Sequence, residues 1–349
     1  MSERPDQREG SLGPPPAKGP GGSLVPVDEV EAARAFASRA RSESTKRAYR
    51  ADWSDFCGWC DDRALPSVPA TPETVALYIA WLATPRDGSQ GLKPSTLSRR
   101  LAAISQAHKA AGHESPALRS REPVHSVWAG IVRTRGVARD KVAPALTPDV
   151  VAMVEALPTV ELADGSRRLT TAAKRDRALL LVGFAGALRR SELAALMVAD
   201  LGFGADGLRV RLRRSKTDQE GAGAVLGLHY GDRPLSCPVR ALQDWLRHVA
   251  ITDGPIFRAV DRHGNVASQA LGGGSVARIV KRAASRAGLD PAAYSGHSLR
   301  AGFATQAARA GAHERAIMKH TRHKSERVLR EYIRDGQLFD ENPTGQLGL

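Results

Sequence analysis

The chain has 349 residues, 42% of them hydrophobic but only 5% aromatic, and a formal net charge of +14. That length and apolar content fit two domains with real cores, packed mainly by aliphatic residues and alanine, which favours helices. No stretch approaches the roughly 20 apolar residues of a membrane span, so the positive charge calls for a polyanionic partner, nucleic acid first, rather than a membrane.

Residues 1–28, with Pro14, Pro15, Pro16 and several glycines, read as a disordered tail without the apolar core of a signal peptide. The expected location is therefore the cytoplasm, in keeping with three sparse cysteines, Cys57, Cys60 and Cys237. Helical spacing begins at Val30 and predicts a helix to Arg39. Ser44 or Thr45 is expected to cap a second helix through Trp53 to Cys60. Cys57 and Cys60 form a Cys-x-x-Cys pair, but no second pair completes a zinc site, so core packing is the better reading. Thr71 caps a third helix, Pro72 to Leu82. A fourth opens at Lys93-Pro94 and ends at Gly112, and a short fifth surrounds His125 to Arg133. Together residues 29–137 form a helical domain, and 138–145 a basic linker.

A second domain, 146–338, opens with a helix at Thr147-Pro148-Asp149, and 339–349 form a tail. The apolar run from Ala178 to Ala187 reads as a buried helix ended by Gly186. Leu208, Val210 and Leu212 alternate with Arg209, Arg211 and Arg213, as in a strand with one basic face, and a turn through Ser215 to Asp218 leads to a return strand, Ala224 to His229. This is the single β excursion expected. Helices follow at Pro238–Val249, Gly274–Ala287, Ser298–Ala310, Glu314–Lys319 and Ser325–Ile333.

Four clusters could carry chemistry. In Gly186-Ala187-Leu188-Arg189-Arg190-Ser191-Glu192-Leu193, Arg189 sits in a tight connection before a helix that Ser191 can cap. Guanidinium suits a phosphate because it donates two parallel hydrogen bonds. An ordinary Arg189–Glu192 surface pair is the competing reading. His297 and Arg300, three apart at a helix start, share a face where an anion could be held and a proton moved. Such a pair is common by chance and gains weight only from context. His320-Thr321-Arg322-His323 precedes Tyr332, nine positions beyond His323; a packed tyrosine is the bland alternative, and His320 and His323 lack the further ligands of a metal site. Lys216 lies at a hairpin tip, where a flexible ammonium can reach a bound backbone or simply be solvated.

These clusters, in this order, resemble the tyrosine recombinase (phage integrase) family: Gly-x-Leu-Arg-x-Ser-Glu-Leu, a hairpin lysine, His-x-Leu-Arg, then His or Trp and a tyrosine nine residues on. Two flanking positions depart from it: Ala187, where glycine is frequent, and Thr321-Arg322, where Leu-Gly is common. The resemblance implies a mainly α fold, with a helical SAM-like core-binding domain and a mostly helical catalytic domain holding a small antiparallel sheet, closing on DNA as a C-shaped clamp. It implies a site-specific recombinase that works through a 3′-phosphotyrosine and a Holliday junction without metal, ATP or other cofactor. Tyr332 is the expected nucleophile, Arg189, Arg300, His297 and His323 the groups on the phosphate, Lys216 the acid for the leaving oxygen, and Glu192 the group that orients Arg189 or His297. The expected partners are duplex DNA with inverted-repeat sites and a homotetramer on two paired sites, linked by the apolar residues Leu338, Phe339, Leu347 and Leu349. Lys46, Arg47, Arg50, Arg99, Arg100, Lys281 and Arg282 are candidate DNA contacts. A type IB topoisomerase and a catalytically inactive DNA-binding regulator are the alternatives.

Overall fold

The structure, a computed structural model, describes residues 43–336 except 87, 89, 137–141, 214–222 and 324, together with Glu29, Glu31, Ala32, Ala35, Phe36 and Leu347. The chain divides into two units, Met1–Arg139 and Asp140–Leu349. Each has its own core.

The first unit is built from α1 (Glu43–Asp61), α2 (Pro72–Ala83), α3 (Pro94–Ala110) and α4 (Val124–Arg135). The described residues within the expected Val30–Arg39 helix are helical and exposed; the rest of that segment lies outside the described residues. Because α1 already begins at Glu43, Ser44 and Thr45 fall inside its first turn rather than capping it. Thr71 does cap α2, its Oγ1 accepting from the Thr74 N–H at 3.3 Å. Phe56, Cys60, Val75, Ile79, Leu97 and Ile104 are fully buried between the helices. Aromatic rings fill the middle, with Tyr78 edge-on to Phe56 and Trp59 at centroid distances of 4.9 and 5.3 Å. Burial raises the thiol of Cys57 and lifts that of Cys60 to about 11. Such cysteines are packing groups and not thiolates.

The second unit runs α5 (Thr147–Glu155), β1 (Thr159–Glu161), β2 (Arg167–Leu169), α6 (Thr171–Ala185), α7 (Arg190–Ala194), a 3₁₀ turn (Val198–Asp200), β3 (Leu201–Gly204), β4 (Gly207–Leu212), β5 (Ala224–His229), α8 (Pro238–His248), β6 (Arg258–Val260), β7 (Val266–Ala270), α9 (Gly273–Arg286), α10 (Ser298–Arg309), α11 (Glu314–Thr321) and α12 (Glu326–Gly336). α6 is the axis of the unit. Every residue from Ala178 to Gly183 is buried, because α5, α8, α9 and α10 all pack around it. β3, β4 and β5 form an antiparallel sheet, and Leu208 and Val210 pair with Leu228 and Leu226. Leu208, Val210 and Leu212 face the core while Arg209 and Arg211 are exposed, as the alternation demands.

The second unit holds more than the single β excursion expected from the sequence. β3 and two further antiparallel hairpins, β1–β2 and β6–β7, are also present. Strands of three to five residues, mostly exposed, are too short to display a period in the sequence. The second unit takes up the chain at Ala143, whose N–H donates to the Ala293 carbonyl at 2.8 Å, and Ala145 donates to Ser298 at 3.0 Å. Gly302 on α10 makes that approach possible: a β-carbon there would stand 1.8 Å from the Ala145 oxygen. No helix among the described residues is long and apolar enough to cross a membrane.

Candidate active site

The site grows out of the end of α6. The Leu188 N–H bonds to the Gly183 carbonyl at 3.0 Å and the Ala187 N–H to the Phe184 carbonyl at 2.9 Å, the paired closure of a Schellman turn. Gly186 keeps a helical-side φ of −85°, and Ala187 takes the left-handed position with φ 45°. The chain reversal therefore rests on Ala187, not on the glycine expected to end the helix. It leaves the Ala187 carbonyl to accept from Arg300 Nη1 at 2.7 Å.

Arg189 follows as the residue that caps α7, so Ser191 lies inside that helix and does not cap it. Glu192 is no surface partner. Its side chain is 1% exposed, and its carboxylate accepts from the Arg189 N–H at 2.9 Å, Arg189 Nη1 at 2.5 Å and Arg322 Nη2 at 2.9 Å. Burial alone would raise this carboxyl, but the Arg189 backbone bond and the charges of Arg322 and Arg189 hold it below its ordinary value. Of the two roles expected for Glu192, orienting Arg189 is the one its contacts match. Arg322, treated in the sequence as a flanking substitution, is part of the site; no local pattern announces it, because its partners are about 130 positions away.

α10 and α12 bring the remaining groups together. Leu329, Tyr332 and Ile333, at helical spacing, share one face of α12 and pack on Ala304, Ala308 and Ile317. That anchoring sets Tyr332 Oη 2.9 Å from His297 Nε2, at the start of α10. The His323 ring lies 5.9 Å from the Tyr332 ring, centroid to centroid. Its Nδ1 is held 2.7 Å from Thr321 Oγ1. Thr321 donates in turn to the Ile317 carbonyl at 2.7 Å.

Arg300 is 1% exposed, and its Nη2 finds no hydrogen-bond partner among the described residues. Burial and the neighbouring Arg189 and Arg322 pull this guanidinium down to about 9, so it is still charged at neutral pH. Burial and then Arg300, Arg190 and Arg189 lower His297. Burial, Arg300, Arg189, His297 and Arg322 push His323 down to about 3. Both imidazoles are neutral in a pocket crowded with positive charge. A buried guanidinium with an unused donor in such a pocket is set for an anion.

The other candidates are placed as follows. Lys216 lies outside the described residues, as do Leu338, Phe339 and Leu349; Leu347 is exposed. Tyr294 is 7% exposed and belongs to the main core. His320 stacks on Phe303 at 4.5 Å and bonds the Ala185 carbonyl at 2.8 Å, which makes it a packing residue. On the first unit, Arg47 and Arg50 are exposed. Lys46 pairs with Glu43 at 2.6 Å. Arg99 makes a two-pronged bond to the buried Asp52 at 2.7 and 3.0 Å. Arg100 is 14% exposed and bonded to Asp55 and Tyr78. On the second unit, Lys281 is exposed and Arg282 reaches Asp176 at 3.5 Å.

The Phage integrase family model matches residues 157–337, and the phage integrase N-terminal SAM-like domain matches residues 35–115. The chain is 36% identical over 310 residues to the integrase/recombinase XerD homologue of Selenomonas ruminantium, covering 88% of this chain and 86% of that protein. The recombinase Cre of Escherichia phage P1 is a more distant relative, 25% identical over 312 residues and 85% of each chain. In fold it is similar to the Tn1549 transposon integrase solved with transposon right-end DNA, with a TM-score of 0.53 at 14% identity, covering 91% of this chain and 98% of that one. With a family model spanning more than half of its length and a relative at 36% identity along most of it, the chain belongs to the phage integrase family and is a site-specific tyrosine recombinase.

Proposed function

We propose that this recombinase cuts and rejoins duplex DNA with Tyr332 as nucleophile. The observation that carries the reading is the 2.9 Å approach of Tyr332 Oη to His297 Nε2 beside the guanidinium groups of Arg189 and Arg300. A scissile phosphate seated there receives hydrogen bonds from both arginines, including the unused Arg300 Nη2, while the His323 ring, its Nδ1–H spent on Thr321, lines the pocket beside it. Tyr332 passes its proton to His297, which its surroundings keep neutral and able to accept it. Oη bonds to phosphorus, the bond to the 5′ oxygen breaks, and Lys216 protonates that oxygen as it leaves. The added charge on the non-bridging oxygens is met by groups already in place. Glu192 keeps Arg189 in position.

The 3′-phosphotyrosine ester conserves the energy of the broken bond, so a 5′ hydroxyl of the partner duplex reverses the step without ATP, and two such rounds pass through a Holliday junction. Arginine and lysine supply the charge a divalent metal would, so no metal takes part. The sites are inverted repeats, two of them paired by a homotetramer in the cytoplasm, with the segment after Tyr332 joining neighbours. Arg47, Arg50 and Lys281 are the exposed candidates for backbone contacts; Lys46, Arg99, Arg100 and Arg282 would each exchange a carboxylate for a phosphate.

A nicked suicide substrate in excess EDTA tests the reading. The unaltered protein is expected to give a covalent adduct on a denaturing gel, and Tyr332→Phe to bind the same DNA without one. Supercoil relaxation without exchange between sites would mark a topoisomerase instead. DNA binding with no adduct would mark an inactive regulator.

A further inference from the structure

Arg322 stands in left-handed backbone, φ 57° and ψ 42°, at the end of α11. A side chain in that conformation crowds its own backbone, and such strain persists where the surroundings over-determine it. Here they do. Nη2 donates to Glu192 Oε2 at 2.9 Å and to the Ala187 carbonyl at 3.2 Å, and Nη1 to the His320 carbonyl at 3.0 Å and the Gly186 carbonyl at 3.4 Å. The Arg322 carbonyl accepts in return from Arg189 Nη2 at 3.4 Å. The side chain is only 12% exposed.

Resting on the reading of Tyr332, Arg189 and Arg300 given above, we infer that Arg322 is a positioning residue for strand cleavage, acting through Glu192 and the Ala187 turn to hold Arg189 and Arg300 at the scissile phosphate. Two shared acceptors make the link. The Glu192 carboxylate serves both Arg322 and Arg189, and the Ala187 carbonyl serves both Arg322 and Arg300. The charged groups facing Glu192 are Arg189, Arg322 and Arg300. Without Arg322, Oε2 loses its charged donor and retains the Arg189 N–H, and the carboxylate can turn toward Arg300 and occupy the donor proposed for phosphate. Arg322 thus holds the Glu192 carboxylate on Arg189 and away from the Arg300 donor.

Arg322→Gly removes the guanidinium and the backbone strain together, so a loss of activity in it is not a loss of backbone fit. Single-turnover adduct formation is expected to fall about tenfold or more, with DNA affinity changed less than about threefold. In a Glu192→Gln background the same change should cost clearly less than it does alone, because the carboxylate link is already broken and the Ala187 link alone remains to be lost. Arg322→Lys should recover part of the rate, since an ammonium can still reach the carboxylate; it also serves as the comparison should the glycine variant fail to fold. A full rate in Arg322→Gly, or an undiminished tenfold loss in the Glu192→Gln background, overturns the inference. Absence of any adduct in the unaltered protein overturns the reading of Tyr332, and this inference with it.

Discussion

Replacing Glu192 by glutamine keeps the shape of the side chain and removes one charge. The carboxylate accepts three hydrogen bonds from two guanidinium groups and one backbone N–H. An amide has one acceptor oxygen, so whichever way it turns its NH₂ meets a donor. The side chain is 1% exposed, which leaves no solvent to take over. A bond to a charged group is worth about 1.5–3 kcal/mol and a neutral one about 1 kcal/mol, so losing one bond and weakening two amounts to about 3 kcal/mol of stability. The effect on DNA has the opposite sign. Removing a negative charge beside Arg189, Arg300 and Arg322 leaves phosphate binding unchanged or tighter, while Arg189 loses its anchor and cleavage falls about 10–100-fold. Denaturant unfolding, anisotropy with a labelled site and single-turnover adduct formation measure the three quantities separately. Wild-type stability together with a wild-type adduct rate would refute the reasoning, and so would a loss confined to DNA binding.

Gly302→Ala places a β-carbon 1.8 Å from the Ala145 carbonyl oxygen and should destabilise the second unit by about 3 kcal/mol, read from its unfolding midpoint; a neutral result would mean that the Ala143–Ala145 segment does not pack on α10. The imidazoles of His297, which is exposed, and of His320 and His323, which are half-buried, are all held below their ordinary range, His323 at about 3. The unfolded chain therefore binds more protons than the folded one at acid pH. Stability should be full above the unfolded histidine value and fall as pH drops below it, continuing toward about 3 for His323; denaturant midpoints that do not move between neutral and mildly acid pH would contradict this. Thr321→Val removes the hydroxyl that fixes the His323 ring and should slow adduct formation about tenfold with DNA affinity unchanged, as expected when a hydrogen bond that orients an active-site histidine is lost; an unaltered rate would show that the ring needs no such support.

The groups brought together at the candidate site were legible because each sits in a short motif whose spacing is local: Arg189 with Glu192, His297 with Arg300, His323 before Tyr332. The alternation of Leu208, Val210 and Leu212 made the face of β4 legible for the same reason. What stayed hidden depends on contacts distant in sequence. Arg322 meets Glu192 about 130 positions away, and Arg99 meets Asp52 across 47, so neither a buried guanidinium behind the site nor an internal ion pair on α3 could be told from an ordinary exposed arginine. Ala187 is a related case: in the sequence it is a flanking position beside Gly186, yet it carries the left-handed turn and the carbonyl that accepts from Arg300.

The most direct measurement is the identity of the amino acid joined to DNA. The protein is trapped on a suicide substrate, digested with trypsin and nuclease, and the nucleotide-bearing peptide is sequenced by mass spectrometry. The expected result is a single modified peptide with the 3′-phosphate ester on Tyr332. A nucleotide on Tyr294 or any other residue, or cleavage that leaves no covalently modified peptide, would contradict the assignment of Tyr332 as the nucleophile.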